Sequence, residues 1–250
     1  MKLIVAPDYT GICEKAAKIF AEEIHRKPNC VLGLATGSTP IGLYQALIRR
    51  YQDGILDFSG VNTFNLDEYC GLAGDHPQSY RYFMQKNLFD HINIPHEQTH
   101  IPSGIAPDPE EECRRYDALI ESSGGIDIQL LGIGHNGHIG FNEPDDHFPV
   151  GSHLTRLTDS TIEANARFFT SKDEVPTHAI TMGAGSILKA GKILLMATGA
   201  GKAEILCKAA TGPVKPQLPA SVLQLHRDVV ILADEAAASV IKKYITPSEE

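Results

Sequence analysis

Seven short apolar runs recur along this chain of 250 residues, and helix-period segments separate them. That alternation constrains the fold more than any other feature. The runs are Leu3–Ala6, Cys30–Ala35, Val61–Leu66, Ile126–Gly132, His178–Met182, Lys192–Thr198 and Val229–Asp234. Each is continuous rather than alternating, as expected of parallel strands buried on both faces. Between the first two, Ile12, Ala16, Ile19, Phe20 and Ile24 fall on one helical face. After the second, Ile41, Tyr44, Leu47 and Ile48 do the same. Strand–helix alternation implies right-handed crossovers, so the expected class is α/β with a mostly parallel central sheet and helices on both faces. No low-complexity linker, repeat or composition break divides the chain, and residues 1–250 are expected to form a single domain. The polar tail after Lys243 is expected to fray.

Charge and cysteine content narrow the function. The 22 Lys+Arg against 31 Asp+Glu leave a net charge of −9. That excludes a general nucleic-acid binder, whose affinity rests on neutralising phosphates. A small anionic substrate stays open, because a local basic pocket can oppose the global charge. The cysteines, Cys13, Cys30, Cys70, Cys113 and Cys207, are odd in number and form no C-x-x-C pair. Reduced thiols in a cytoplasm are expected. The apolar run near the N-terminus, Leu3–Ala6, is too short for a signal segment, and nothing elsewhere approaches a membrane span.

In an open α/β sheet, ligands bind outside the carboxyl ends of the strands. Four segments that follow strands should therefore converge: Thr36–Pro40, Asp67–Tyr69, Gly132–Glu143 and Gly199–Lys202. The third, within GIGHNGHIGFNEP, allows three readings. Gly132, Gly134 and Gly137 have dinucleotide-like spacing, but Gly140 and Pro144 make the required helix after the third glycine improbable. His135 and His138 stand three apart, yet without helix, Cys pair or H-E-x-x-H the pattern does not indicate metal. Acid–base catalysis by His138 with a carboxylate partner, Glu143, is the third. A surface loop with turn glycines fits the same residues.

The other segments read similarly. In TGSTP, Thr39 is expected to cap a helix with Pro40 at its first position, leaving backbone N–H groups for a phosphate. A capped helix start without ligand is the alternative. GAGKAE is not an ATP-binding P-loop, since Met196 and Ala203 stand where glycine and Ser/Thr are needed. Lys202 can still meet a phosphate as a point charge, or be a solvated surface lysine. Arg167, beside aromatic residues in EANARFF, suits an anion or a structural salt bridge. In FNLDEYCGL one of Asp67 and Glu68 should point into the crevice as a base with raised pKa, unless both are solvated strand-end acids.

Taken together, LGLATGSTPIGLYQAL, FNLDEYCGL, SYRYFMQKNLFDHINI, LLGIGHNGHIGFNEP, ANARFF and GAGKAE resemble the glucosamine-6-phosphate deaminase (isomerase) family. The resemblance runs from about residue 30 to 210, more weakly through LPASVLQLH to the last strand. It implies a Rossmann-like open sandwich without a nucleotide, and the conversion of glucosamine 6-phosphate and water to fructose 6-phosphate and ammonia. It implies no cofactor and no metal. By matching positions His138 would open the sugar ring, supported by Glu143, and Asp67 would carry a proton from C2 to C1. Thr36, Gly37, Ser38, Thr39, Arg167 and Lys202 would hold the phosphate. Asn136 stands where some members carry aspartate. It can hydrogen-bond the imidazole but cannot offset its charge. Members activated by N-acetylglucosamine 6-phosphate have an Arg/Lys pair where this chain offers His153 and Thr155, so no such activation is expected. A monomer is favoured over a hexamer. A galactosamine 6-phosphate deaminase and a catalytically inactive sugar-phosphate sensor are the competing functions.

Overall fold

The computed structural model describes residues 1–166, 169, 171 and 174–248. Its strands and α-helices run in the order β1 (Lys2–Ala6), α1 (Tyr9–Arg26), β2 (Val31–Leu34), α2 (Ile41–Gln52), β3 (Asn62–Asn65), β4 (Asp67–Tyr69), α3 (Tyr80–Asn87), β5 (Thr99–His100) and α4 (Pro109–Ser122). They continue with β6 (Ile128–Gly132), β7 (His153–Arg156), α5 (Asp159–Ala166), β8 (His178–Thr181), α6 (Ala184–Leu188), β9 (Lys192–Ala197), α7 (Ala203–Thr211) and β10 (Val229–Asp234).

Seven strands form the central sheet in the order β1-β10-β9-β6-β2-β3-β5. Every pairing in it is parallel. The chain starts at one edge, jumps to the middle at β2, and builds outward through β3 and β5. It then returns to the other side of β2 with β6 and closes through β9 and β10 onto β1. The direction of winding reverses between β2 and β6, and a crevice opens there beyond the strand ends.

Apolar periodicity explains the helices. Ile12, Ala16, Phe20 and Ile24 of α1 are buried in the main core, and Ile19 packs at its edge. Tyr44 and Leu47 of α2 are fully buried. Asp8 caps α1 by accepting from the Gly11 N–H at 2.8 Å. The main core also takes in Leu130, Leu131, Leu194, Leu195, Ile231 and Leu232 from the central strands. Such strands sit between two helical layers, so both faces must be apolar.

Two expectations about strands need correction. The run His178–Met182 is a strand, but β8 lies outside the central sheet. It pairs antiparallel with β4 and β7 in a second, three-stranded sheet. A continuous apolar run reports burial on both sides, not the direction of its neighbours. Asp67–Tyr69, expected only as the segment that follows the third run, is itself strand β4 of that small sheet. Tyr69, Phe141, Leu157 and Ala179 form a separate small core there. The tail after Lys243 is tied back, because the Ser248 N–H donates to the Leu3 carbonyl at 2.8 Å.

Candidate active site

A cleft of about 720 Å³ lies over the carboxyl ends of β2, β3, β6 and β9. Thr36–Pro40, Asp67, Gly132–Asn136, His138 and Lys202 all line it. Four segments distant in sequence thus meet because their strands are neighbours in the sheet.

The Thr36–Pro40 turn is held from outside. At its start, the Tyr44 hydroxyl donates to the Ala35 carbonyl at 2.5 Å and accepts from its N–H at 3.2 Å. Thr39 is not the cap. Helix α2 begins at Ile41, and its preceding residue Pro40 makes no side-chain capping bond. Instead the hydroxyl of Tyr9, from α1, accepts from the Gly42 N–H at 2.8 Å and donates to the Thr39 carbonyl at 3.0 Å. A tertiary contact has taken over the capping role, which the order of residues in TGSTP could not reveal.

Asp67 and Glu68 are adjacent on β4 and face opposite ways, as neighbours on a strand must. Asp67 points into the cleft and is 6% exposed. Among the described residues its carboxylate receives no hydrogen bond. Burial, with a smaller contribution from the Glu68 charge, pushes its pKa up to about 8. Glu68 turns away and accepts from the N–H groups of Tyr69, Tyr80 and Arg81 at 2.8–2.9 Å. It therefore anchors the first turn of α3. Burial raises its pKa to about 6 against the lowering effect of those backbone donors.

The loop after β6 contains no helix, so no dinucleotide-type turn forms at Gly137. Its glycines have a different purpose. A β-carbon at Gly134 would lie 2.4 Å from the His138 ring. At Gly140, with φ of +56°, it would lie 2.9 Å from Thr181 Oγ1 and 3.5 Å from Asp67 Oδ2. The backbone approaches the His138 ring this closely only without a side chain at Gly134, while at Gly140 the positive φ and Thr181 favour glycine.

His138 Nδ1 lies 3.4 Å from Glu143 Oε1, within ion-pair reach but without an aligned hydrogen bond. The Glu143 carboxylate is held by other groups. Asn136 Nδ2 donates to Oε2 at 2.6 Å, and Thr161 Oγ1 donates to Oε1 at 2.5 Å. Burial pushes the Glu143 pKa up, but the neighbouring imidazole, Thr161 and Asn136 pull it back further, and the net shift is downward. Asn136 does not bond the imidazole, contrary to expectation. Its Oδ1 accepts from the His138 backbone N–H at 3.1 Å, so it joins the loop to the carboxylate instead.

Lys202 enters from the turn between β9 and α7. Burial lowers its pKa, and none of the described carboxylates pairs with it. Its ammonium is the largest influence holding the His135 imidazole below its ordinary pKa, so the two groups are close. Asp234, at the end of β10, secures the turn by accepting from the Gly199 N–H at 2.9 Å and the Ala237 N–H at 2.7 Å. Arg167 lies outside the described residues. It directly follows α5 in the sequence.

Sequence reasoning missed several lining residues. Tyr80 and Phe141 form an aromatic wall, their rings stacked at 6.0 Å and 9°. Tyr80 stands in SYRYFMQKNLFDHINI, where nothing in the local pattern marks it for chemistry. Thr161 was missed because a threonine 18 positions from Glu143 has no local pattern marking it as a partner. The described residues contain no group of three or more His, Cys, Asp or Glu side chains arranged to hold a metal. No described helix is long and apolar enough to cross a membrane.

The arrangement can do acid–base chemistry on a small anion: a raised-pKa carboxylate, an imidazole beside an ionised carboxylate, and an ammonium that no described carboxylate pairs share one cleft. A family that groups glucosamine-6-phosphate isomerases with 6-phosphogluconolactonases matches residues 9–232. A glucosamine-6-phosphate deaminase from Clostridium perfringens is 57% identical over 242 residues, covering 97% of this chain and 100% of that protein. One from Lachnoclostridium phytofermentans is 59% identical over 232 residues, covering 93% and 98%. A solved structure of a monomeric glucosamine-6-phosphate deaminase matches with a TM-score of 0.93 and 48% identity, covering 96% of this chain and 100% of the other. A 6-phosphogluconolactonase from Trypanosoma cruzi shares the fold at a TM-score of 0.76, with 19% identity and coverage of 98% and 97%.

Proposed function

The chain belongs to the glucosamine-6-phosphate isomerase/6-phosphogluconolactonase family, and we infer that it is a deaminase, converting glucosamine 6-phosphate and water to fructose 6-phosphate and ammonia. The observation that carries this reading is the buried Asp67 carboxylate, given no hydrogen bond by the described residues, in the cleft that His138 also lines with Glu143 beside it.

The reaction needs a base, an acid and an anion site. Thr36, Gly37, Ser38 and Thr39 offer hydroxyls and N–H groups at the N-terminus of α2, which favours negative charge. Lys202, and Arg167 after α5, complete the phosphate site. His138 takes the proton of the anomeric hydroxyl and returns one to the ring oxygen, so the C1–O5 bond breaks. Glu143 stabilises the imidazolium that forms in between. Asp67 then removes the proton on C2; that electron pair forms the C1=C2 bond, the C1=O π pair moves onto O1, and O1 takes a proton from the substrate ammonium, giving a neutral enolamine. The same carboxyl returns the proton to C1, leaving an imine at C2. Water adds there, the C–N bond breaks and ammonia leaves. Asn136 holds Glu143 in place.

A pKa of about 8 leaves roughly a tenth of Asp67 ionised at pH 7 in the empty site. The bound substrate's ammonium favours the ionised form, and the raised pKa makes that form a stronger base. The whole chain, 1–250, works as one catalytic domain, in the cytoplasm and as a monomer. The monomeric relative at 48% identity supports the last point. The presence of Asp67, His138 and Glu143 favours an enzyme over a sensor.

The test is product formation from glucosamine 6-phosphate in chelator-treated buffer. Wild type should release ammonia and fructose 6-phosphate in equal amounts, and Asp67→Asn should lose about a thousandfold in kcat. Binding without turnover by the wild type would support a sensor. A mutant with wild-type rate would remove Asp67 from the mechanism.

A further inference from the structure

The oxygen of Glu143 nearest the imidazole has two claimants. Thr161 Oγ1 donates to Oε1 at 2.5 Å, while His138 Nδ1 stands 3.4 Å from the same atom without an aligned bond. The other oxygen is taken by Asn136 at 2.6 Å. The orientation of the carboxylate is thus set by Thr161 and Asn136, not by the histidine it serves. Thr161 is itself fixed. It is 6% exposed, lines the cleft, and its hydroxyl accepts from Thr158 Oγ1 at 3.0 Å. That leaves its own proton for Glu143.

We propose that Thr161 is a positioning residue for the ring-opening step, holding Glu143 in a preorganised place and limiting its grip on His138 until the imidazolium forms. The inference rests on the reading of His138 and Glu143 given above. Its physical logic is that of a supporting shell around an acid–base pair. A carboxylate bonded on both oxygens does not rotate to follow the imidazole. The ring can therefore give up and regain its proton without first breaking a tight, low-dielectric pair. Thr161 also sits on α5, the helix whose last described residue precedes Arg167.

The groups that face this pair come from three elements. Asn136 and His135 belong to the loop after β6, Thr161 to the first turn of α5 with Thr158 just before it, and Lys202 to the turn after β9. Losing the Thr161 hydroxyl removes a donor from the buried carboxylate and gives Oε1 wholly to His138. The loss of that donor favours the protonated form of the Glu143 carboxyl. The lower-lying acid limb of kcat/KM that reports Glu143, distinct from the Asp67 limb near pH 8, should then move to higher pH.

The experiment compares Thr161→Val, which keeps the shape, with Thr161→Ser, which keeps the hydroxyl, and with His138→Gln. Expected for valine are a fall in kcat of about tenfold, KM within about twofold of wild type, and an acid limb raised by about half a pH unit or more. Serine should restore both kcat and the limb. A valine variant with wild-type kcat and pH profile overturns the inference, as does a serine variant as impaired as valine, which would mark a packing role. If His138→Gln also keeps wild-type turnover, the underlying assignment of His138 fails and the inference falls with it. If His138→Gln collapses while valine is normal, only the role of Thr161 is wrong.

Discussion

Two carboxylates of the site have been treated oppositely: Asp67 lines the cleft, and Glu143 stands beside the His138 that lines it. Asp67, at the start of β4, is buried and given no hydrogen bond by the described residues, and its pKa rises to about 8. Glu143, in the loop after β6, is half-buried, and Asn136 and Thr161 satisfy its oxygens with His138 beside them, so its pKa falls. Burial alone pushes both upward; donors decide the outcome. One carboxyl becomes a base able to hold a proton near neutrality, and the other a fixed negative charge. The difference teaches that in this cleft reactivity follows from withheld hydrogen bonds and stability from supplied ones.

The largest test of that contrast is stability. A folded-state pKa raised above the unfolded value stabilises the fold below the unfolded pKa, and the benefit is lost as pH rises through the folded pKa. For Asp67 that window runs from about 4 to about 8. Removing its charge with Asp67→Asn should therefore stabilise the protein at pH 9 by on the order of a few kcal/mol, with no gain below about pH 4. Glu143 has the opposite sign. Its contribution is present above the unfolded pKa and lost as pH falls through the lowered one. Glu143→Gln should cost about 1–3 kcal/mol at pH 7 and above. Thermal melts of both variants across pH decide the matter, and a shift of the same sign in both would end the contrast.

A medium effect is expected on activity. The rate kcat/KM should climb with pH through about 8, as Asp67 loses its proton. The substrate amine titrates in the same region, so the decisive comparison is Glu68→Gln. Glu68 adds its negative charge to the burial that raises Asp67. Its removal should move the rising limb to lower pH by about half a unit or more. An unmoved limb would mean that burial acts alone, or that the limb belongs to the substrate.

The smallest effect concerns the anion side, where neither carboxylate takes part. Asp234→Asn weakens the acceptor that holds the Gly199 turn and hence Lys202. Steady-state kinetics should show KM for the sugar phosphate raised about three- to tenfold with kcat nearly unchanged. A fall in kcat with unchanged KM would instead place the turn among the groups that act on the reacting carbons.

Much of this was legible in the chain. Six of the seven apolar runs are strands of the central sheet, because a strand buried on two faces must be apolar throughout. The convergence of four strand-end segments followed from the α/β rule, and the motif pair FNLDEY and GHNGHIGFNEP pointed to the family. What stayed hidden was short or relational. Strand β5 has two residues and no pattern of its own. The exposed residues of β7 alternate with half-buried ones, a weak signal over four positions. The membership of β8 in the small sheet depends on its partners, not on its own residues.

The sequence by itself determined the α/β class, the loops that could hold chemistry, and the residue types available there. Local patterning is enough for these, since periodicity and turn residues act within a few positions. Only the tertiary structure decided which of Asp67 and Glu68 faces the cleft, that Tyr9 rather than Thr39 secures α2, and that Asn136 and Thr161 hold Glu143. Each of these depends on groups brought together by strand order. A pKa in turn depends on which donors arrive and which do not.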